Sequence, residues 1–370
     1  QNATGGNGGS GGSGIRGDYV VNISGGIIKN AEGTGGGAGI GGGANSFQDT
    51  TINISGGTIE KATGGVGGGA GIGSGKGSTG ETKIDITQDA LVYAYGSGGA
   101  AIGSGESSTG KTTVNIHDTT AGKGVKHAFA YDGAGIGSGH YASGQTYITI
   151  RNASVSSLES SADSTNNPGA GIGSGKGAKG NTAITIEGST VKAVGGNGAA
   201  IGSGALISPD EDTMEADADI TIEGKVTISA VAGKDGVAIG ANGKEKAFDD
   251  LLPGSSIDRR NTDGKDISLP GDKTAEKTPA AESASNGRLD ALTGLTVTDA
   301  AGKAVAYTLT WQGGTVTVKV DAAFASLQMT YDALCWLRSH GMQTMLFCTQ
   351  ERTASVSAVE LLGVCTQDTT

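Results

Sequence analysis

The heptapeptide GAGIGSG, Gly69–Gly75, decides the fold, because close copies of it recur along most of the chain. Within each copy only the isoleucine, here Ile72, has a side chain large enough to fill an interior. Successive copies are separated by 29 to 38 residues, a period that predicts a solenoid. The isoleucines are Ile40, Ile72, Ile102, Ile136, Ile172, Ile201 and Ile239, with a degenerate earlier copy at Ile15.

Two further short segments follow each glycine block. In the first, apolar and polar residues alternate, as in INIS (Ile52–Ser55) and ITIE (Ile184–Glu187), and the second is exemplified by VYA (Val92–Ala94). A period of two is typical of a strand buried on one face. Three short strands per repeat predict a mainly β protein: a parallel β-helix of about seven coils, stacked about 4.8 Å apart. We expect it to be right-handed, as in the common form of this fold.

Composition agrees with a repeat protein and excludes several classes. The chain of 370 residues contains 70 glycines and only 4% aromatic residues, which does not suit an ordinary globular core. The lack of a three-residue period excludes collagen. A phosphate-binding glycine loop would carry Lys-Ser/Thr and precede a helix, and the glycine blocks do neither. We therefore interpret the glycines as structural, since they permit tight bends and close approach of stacked backbones.

Charge and hydropathy argue against two classes of partner, nucleic acids and membranes. A net charge of −11 argues against nucleic acid and against anionic membranes, both of which need clustered Lys and Arg. No apolar run approaches the ~20 residues of a membrane span, so we expect no direct membrane insertion.

The repeat stops after Gly243, which predicts three parts. Residues 1–243 form the β-helix, residues 244–290 a cap and linker, and residues 291–370 a small α+β module. Within the module, Thr330–Gly341 is typical of a short helix. Cysteines occur only there, at Cys335, Cys348 and Cys365. A Cys335–Cys348 disulfide and two buried thiols are both compatible with the sequence.

GAGIGSG, together with GAGIGGG at Gly37–Gly43, resembles the glycine-rich repeats of large secreted or surface-attached proteins of Gram-positive, gut-type bacteria. The resemblance covers residues 14–243. It implies an extracellular, secreted or cell-wall-attached protein that is adhesin-like or carbohydrate-binding. The chain begins inside repeat sequence, so we expect it to be part of a longer precursor.

Equivalent residues of successive coils should stack into columns, and one outward column carries amides and hydroxyls suited to sugar hydroxyls. Stacking on tyrosines would add to such a site. The predicted ligand-binding residues are Asn53, Asp85, Tyr93, Tyr95, Asn115, Tyr147 and Thr149. The alternative is that the polar residues only solvate the strand and hydrogen-bond one another along the column.

A neighbouring column offers the one constellation suited to catalysis. Glu187 and Glu223 should lie one coil apart, near the ~5 Å separation of retaining glycosidase carboxylates, with Arg151 on the other side of Glu187. An exposed ion-pair ladder is the competing interpretation.

An acidic insertion containing Asp210, Asp212 and Asp217 could supply oxygen ligands for calcium, or remain a solvated loop. No other metal or cofactor is predicted, because the histidines share no metal-binding spacing.

The sequence thus favours a non-catalytic carbohydrate-binding or adhesive surface module whose partner is a polysaccharide or glycan. Two alternatives remain: a structural stalk of a large surface protein, and a polysaccharide lyase or glycoside hydrolase of the β-helix type. Unpaired strand edges at the ends of the helix also predict end-to-end self-association.

Overall fold

The structure is a computed structural model that describes residues 2–4, 12–15, 20–157, 169–204, 217–233, 236–248, 251–273, 288–289, 295–312, 315–329 and 344–357. All the regular secondary structure in these ranges is β-strand. The chain divides into two compact units, residues 1–277 and 278–370.

The first unit is a parallel β-helix, as the repeat predicts. Its described residues form eight coils, counting partial first and last ones, and we number them 1 to 8 by their isoleucines, Ile15 to Ile239. Each complete coil contributes one strand to each of three faces. All pairing between coils is parallel, so each residue of a coil lies next to its equivalent in the following one.

We call the three faces the glycine face, the threonine face and the valine face. The glycine face consists of Ile40–Gly41, Ile72–Gly73, Ile102–Gly103, Ile136–Gly137, Ile172–Gly173, Ile201–Gly202 and Ile239–Ala241. The threonine face consists of Val20–Ile28 without its last two residues, the first half of Thr50–Thr63, Thr82–Gln88, Thr112–Thr119, Thr146–Arg151, Thr182–Glu187 and Ala218–Glu223. The valine face consists of Asn2–Thr4, Asn30–Glu32, the second half of Thr50–Thr63, Leu91–Gly96, Gly124–Ala130, Ser154–Ser157, Thr190–Val194, Thr227–Val231 and Ser256–Arg260.

Stacked aliphatic side chains fill the interior. The glycine-block isoleucines Ile40 to Ile239 are all fully buried, and so are most of the inward-facing alternating residues of the threonine face, such as Ile84 and Ile86. Burial of one such side chain contributes roughly 1.5–3 kcal/mol, and the repeat supplies several per coil. The core therefore explains why isoleucine recurs where every neighbouring residue is small.

Buried serines link the glycine blocks of adjacent coils. The backbone amide of Gly105 donates to Ser74 Oγ at 3.0 Å, and the amide of Gly139 donates to Ser104 Oγ at the same distance. The pattern continues with Gly175 and Ser138. The serine of GAGIGSG is thus a structural hydrogen-bond acceptor in the fold.

The last coil ends in a charged cap built around Arg259. This residue pairs in register with Ala230, on the inner side of the strand, and its side chain is fully buried. Its Nε and Nη2 donate to the two carboxylate oxygens of Asp272 at 2.8 and 2.9 Å, and its Nη1 donates to Glu245 Oε2 at 2.6 Å. The ring of Phe248 lies 5.6 Å from the guanidinium carbon.

Glu245 completes this cap by closing the edge of the glycine face. Its strand, Lys244–Glu245, pairs antiparallel with Gly240 and Ala241. Its carboxylate accepts hydrogen bonds from the backbone amides of Ala238 and Ile239. The predicted cap region therefore terminates the sheet with hydrogen bonds, and the strand Ser256–Arg260 within it extends the valine face by one coil.

The second unit contains the strands Arg288–Leu289, Leu295–Asp299, Tyr307–Gln312, Thr315–Val320, Ala325–Met329, Thr344–Cys348 and Thr353–Ser357. Five of them form one sheet, in which Thr315–Val320 and Thr344–Cys348 are parallel. The predicted helix Thr330–Gly341 lies outside the described residues, as do Cys335 and Cys365. Cys348 is half-buried at the end of its strand.

Candidate functional site

The threonine face carries the predicted amide and hydroxyl column. The register places its members opposite one another, in the order Asn22, Asn53, Asp85, Asn115, Thr149, Thr185 and Thr221. Asn53 Nδ2 donates to Asn22 Oδ1 at 2.8 Å, and Asn115 Nδ2 donates to Asp85 Oδ1 at 2.7 Å. These polar groups thus bond to one another along the axis, which occupies part of their capacity for a ligand.

The second threonine-face column aligns the predicted catalytic residues. Arg151 pairs in register with Glu187, and Glu187 pairs with Glu223. The guanidinium of Arg151, however, lies 3.3 Å from Asp118 Oδ2 in the preceding coil. The structure therefore brings the two glutamates onto adjacent strands and directs the arginine away from them.

Asp118 is a charged centre that the sequence did not single out. His117 Nδ1 lies 3.0 Å from its Oδ2, and Asn152 Nδ2 donates to its Oδ1 at 3.1 Å. Burial alone would raise the pKa of Asp118, but the hydrogen bonds from His117 and Asn152 and the charge of Arg151 together lower it below its ordinary value. The cluster therefore resembles a surface ion-pair network more than an acid–base pair.

Tyr147 also lies on the threonine face. Its ring is 38% exposed, its hydroxyl donates to Gln145 Oε1 at 2.9 Å, and Lys111 Nζ lies 5.7 Å from the ring centroid. Tyr93 and Tyr95 belong to the valine-face strand Leu91–Gly96. The three predicted tyrosines therefore occupy two different faces.

The valine face of coils 3 and 4 instead gathers a continuous group of rings. The Tyr95 and His127 centroids are 5.1 Å apart, His127 stacks on Phe129 at 6.4 Å, and Phe129 meets Tyr131 edge-on at 5.0 Å. Tyr93 pairs in register with His127. We call these five residues the aromatic patch. Phe129 forms its buried base, and Tyr131 is 62% exposed.

Two β-bulges frame Tyr93. On one side, Ile59 pairs with Val92 and Ala62 with Ala94, so both Glu60 and Lys61 lie opposite Tyr93. On the other, Val125 pairs with Val92 and His127 with Tyr93, which leaves Lys126 as an extra residue. Bulges are rare in parallel ladders, and they re-aim side chains next to functional sites. The first bulge thus places Glu60 and Lys61 beside Tyr93, and the second adds Lys126.

The imidazole of His127 lies within this patch. Desolvation by burial lowers the pKa of His127 below its ordinary value. Burial therefore favours the uncharged imidazole, which packs against Tyr95 and Phe129.

A second aromatic pair lies at the turn after the coil 5 glycine strand. His140 and Tyr141 stack with centroids 3.7 Å apart. Tyr141 has a φ of 54°, a left-handed conformation that costs a bulky residue about 1–2 kcal/mol. Burial lowers the pKa of His140, although the nearby carboxylates of Asp132 and Glu106 oppose this shift. Coils 3 and 6 have glycine, Gly77 and Gly177, where coil 5 has Tyr141.

The structure describes one of the three predicted calcium ligands, Asp217. Asp210 and Asp212 lie outside the described residues, and Asp217 Oδ1 accepts the backbone amide of Ala218 at 2.9 Å. Within the described ranges, no three His, Cys, Asp or Glu side chains are grouped closely enough to hold a metal ion. Calcium dependence stays a prediction.

The described residues contain no helix that is long and apolar enough to cross a membrane. Comparisons of the chain with models of protein families, with curated proteins and with solved structures found no match.

Proposed function

We propose that this protein is a non-catalytic, extracellular glycan-binding module, and that the aromatic patch is its contact surface. The observation that carries the proposal is the run of rings from Tyr95 through His127 and Phe129 to Tyr131. Sugar rings present apolar C–H faces that stack on aromatic side chains, while the tyrosine hydroxyls bond to sugar hydroxyls.

The distribution of aromatic residues supports this assignment. The chain has only 15 Phe, Trp and Tyr residues, and four of them lie in the patch. Tyr131 is 62% exposed and adjoins the other rings of the patch, and a contiguous group of exposed apolar side chains, unlike a single one, is typical of an interaction site.

Rigidity also suits a binding surface. Each residue of the patch lies on, or directly after, one of two strands. Leu91–Gly96 pairs along its length with both neighbouring coils, and Gly124–Ala130 pairs along its length with coil 3 and at Val125 with coil 5. Side chains held by a sheet lose little conformational entropy when they bind, which favours recognition of an extended polymer.

A structural stalk is the second candidate, and the threonine face favours it. The side-chain bonds Asn53–Asn22 and Asn115–Asp85 run parallel to the axis and tie successive coils together. Hydrolase or lyase chemistry through Glu187, Glu223 and Arg151 has less support, because Arg151 pairs with Asp118.

Co-sedimentation with a panel of insoluble and gel-immobilised polysaccharides, in calcium and then in chelator, tests the proposal. We expect retention on at least one polymer, lost in the double variant Tyr95→Ala/Tyr131→Ala. Tyr147→Ala is the matched control, because it removes an exposed tyrosine from the threonine face. Retention on no polymer would favour the stalk. Retention that the Tyr95/Tyr131 variant keeps would place binding elsewhere.

A further inference from the structure

The valine face differs from the rest of the molecule in charge. Its strands in coils 2 to 6 carry three lysines, Lys61, Lys126 and Lys192, against the single acidic residue Glu60. The chain as a whole has a net charge of −11. On the threonine face the last two strands, Thr182–Glu187 and Ala218–Glu223, carry Glu187, Asp219 and Glu223 without a basic residue. The two faces therefore have opposite sign.

These three lysines also differ from several other lysines of the chain, which form ion pairs with acidic residues. Lys76 pairs with Glu106, Lys83 with Asp85, and Lys246 with Asp219. None of Lys61, Lys126 and Lys192 has an acidic partner within 4.0 Å among the residues that the structure describes. Unpaired ammonium groups beside a ring surface are free to bind an anion without first breaking an ion pair.

The position of these lysines matches a polymer that lies along the axis. Lys61 is in coil 2, Lys126 in coil 4 and Lys192 in coil 6. Strands two coils apart are separated by roughly 10 Å, so the three positions span about 20 Å beside Tyr93 and Tyr95. An extended polysaccharide with acidic groups along its chain presents anions over the whole of this length.

We propose that the glycan bound by the aromatic patch is an acidic polysaccharide, whose carboxylate or sulfate groups pair with Lys61, Lys126 and Lys192. This inference depends on the proposed function. The two bulges beside Tyr93 serve this purpose, because each inserts an outward residue that a regular ladder would not hold. At physiological ionic strength the Debye length is about 8 Å, so the nearby charges, three lysines against Glu60, influence a bound polymer more than the charge elsewhere on the molecule.

Binding to pairs of polymers that share a backbone but differ in charge distinguishes recognition of the acidic groups from recognition of the sugar. The full chain is measured against surface-immobilised polygalacturonate and its methyl ester, and against carboxymethyl cellulose and hydroxyethyl cellulose. Each pair shares a backbone and differs in charge. We expect at least about tenfold tighter binding to one acidic member than to its neutral partner at ~0.05 M salt, and loss of that preference at ~0.5 M salt.

The variant Lys61→Gln/Lys126→Gln/Lys192→Gln should reduce the preference to less than about threefold. Lys83→Gln/Lys111→Gln/Lys179→Gln removes the same charge away from the valine face and should leave the preference intact. Circular dichroism shows whether each variant is folded. Equal binding to both members of each pair, or a preference that survives the first variant, would overturn the acidic ligand while the glycan-binding proposal stands. If neither pair nor any polymer of the wider panel binds, the glycan-binding proposal itself fails.

Discussion

Gly103 and Gly137, which pair in register on adjacent coils, are so close that a Cβ on Gly103 would overlap the carbonyl oxygen of Gly137. Gly103 also has a φ of 143°, which side-chain-bearing residues rarely adopt. The same relationship links Gly73 with Gly103 and Gly137 with Gly173. Glycine thus recurs after each buried isoleucine because the stacked backbones leave no room for a side chain.

Replacement of Gly103 by alanine should destabilise the β-helix by at least about 3 kcal/mol, since both the overlap and the backbone conformation oppose a methyl group. Thermal or denaturant unfolding followed by circular dichroism measures the effect. Gly25→Ala is the control, because a Cβ there meets no atom within 4 Å, and its effect should stay within about 0.5 kcal/mol. Equal effects of the two substitutions would contradict the close approach of the coils.

The buried cap gives a second prediction. Arg259→Ala removes the only cation that contacts Asp272 within the described cap and leaves that fully buried carboxylate without its partner. We expect a loss of about 3–5 kcal/mol, the usual consequence of removing one member of a buried pair. The exposed neighbour Arg260, which pairs with Asp258, serves as the control, and Arg260→Ala should cost less than about 1 kcal/mol. If Arg259→Ala lowered the free energy of unfolding as little as Arg260→Ala does, the cap would not stabilise the last coil.

The pKa values of His127 and His140 predict how stability depends on pH. Burial lowers both below the ordinary value of 6.5, so the unfolded chain binds protons that the folded chain does not. Stability should be fully present above pH 6.5 and fall as the pH drops from 6.5 through the lower folded values. Melting temperatures measured from about pH 7.5 to pH 5 check this sign. His127→Gln/His140→Gln should flatten the slope over that window, and an unchanged slope would show that other groups cause it.

Much of the β-helix could be predicted from particular residues. The spacing of Ile72 from its copies predicts the coil, and the alternation in ITIR (Ile148–Arg151) and in the two ITIE segments correctly places Thr149, Thr185 and Thr221 in one column. These predictions succeed because a parallel solenoid repeats one local pattern, so each copy tests the others. The charged core position of Arg259 has no counterpart in other coils, and its pairing with Asp272 depends on the cap alone.

The aromatic patch could not be predicted in the same way, because register shifts do not repeat. The clustering of tyrosines in the central coils predicts Tyr93 and Tyr95 as ligand-binding residues together with Tyr147, which lies on another face. A signal was present nonetheless. Two consecutive polar residues separate the buried positions in Val125–Ala128 and in Ile59–Ala62, where a regular strand would have one. Such an interruption predicts a bulge.

Hydroxyl-radical footprinting of the full chain, with and without a polysaccharide that retains it, tests the central claim most directly. Radical labelling reports the solvent exposure of individual side chains, and aromatic rings react readily. We predict that bound polymer protects Tyr93, Tyr95 and Tyr131, while Tyr147 on the threonine face is labelled as before. Protection of Tyr147 with no change at Tyr131 would contradict a binding surface on the valine face.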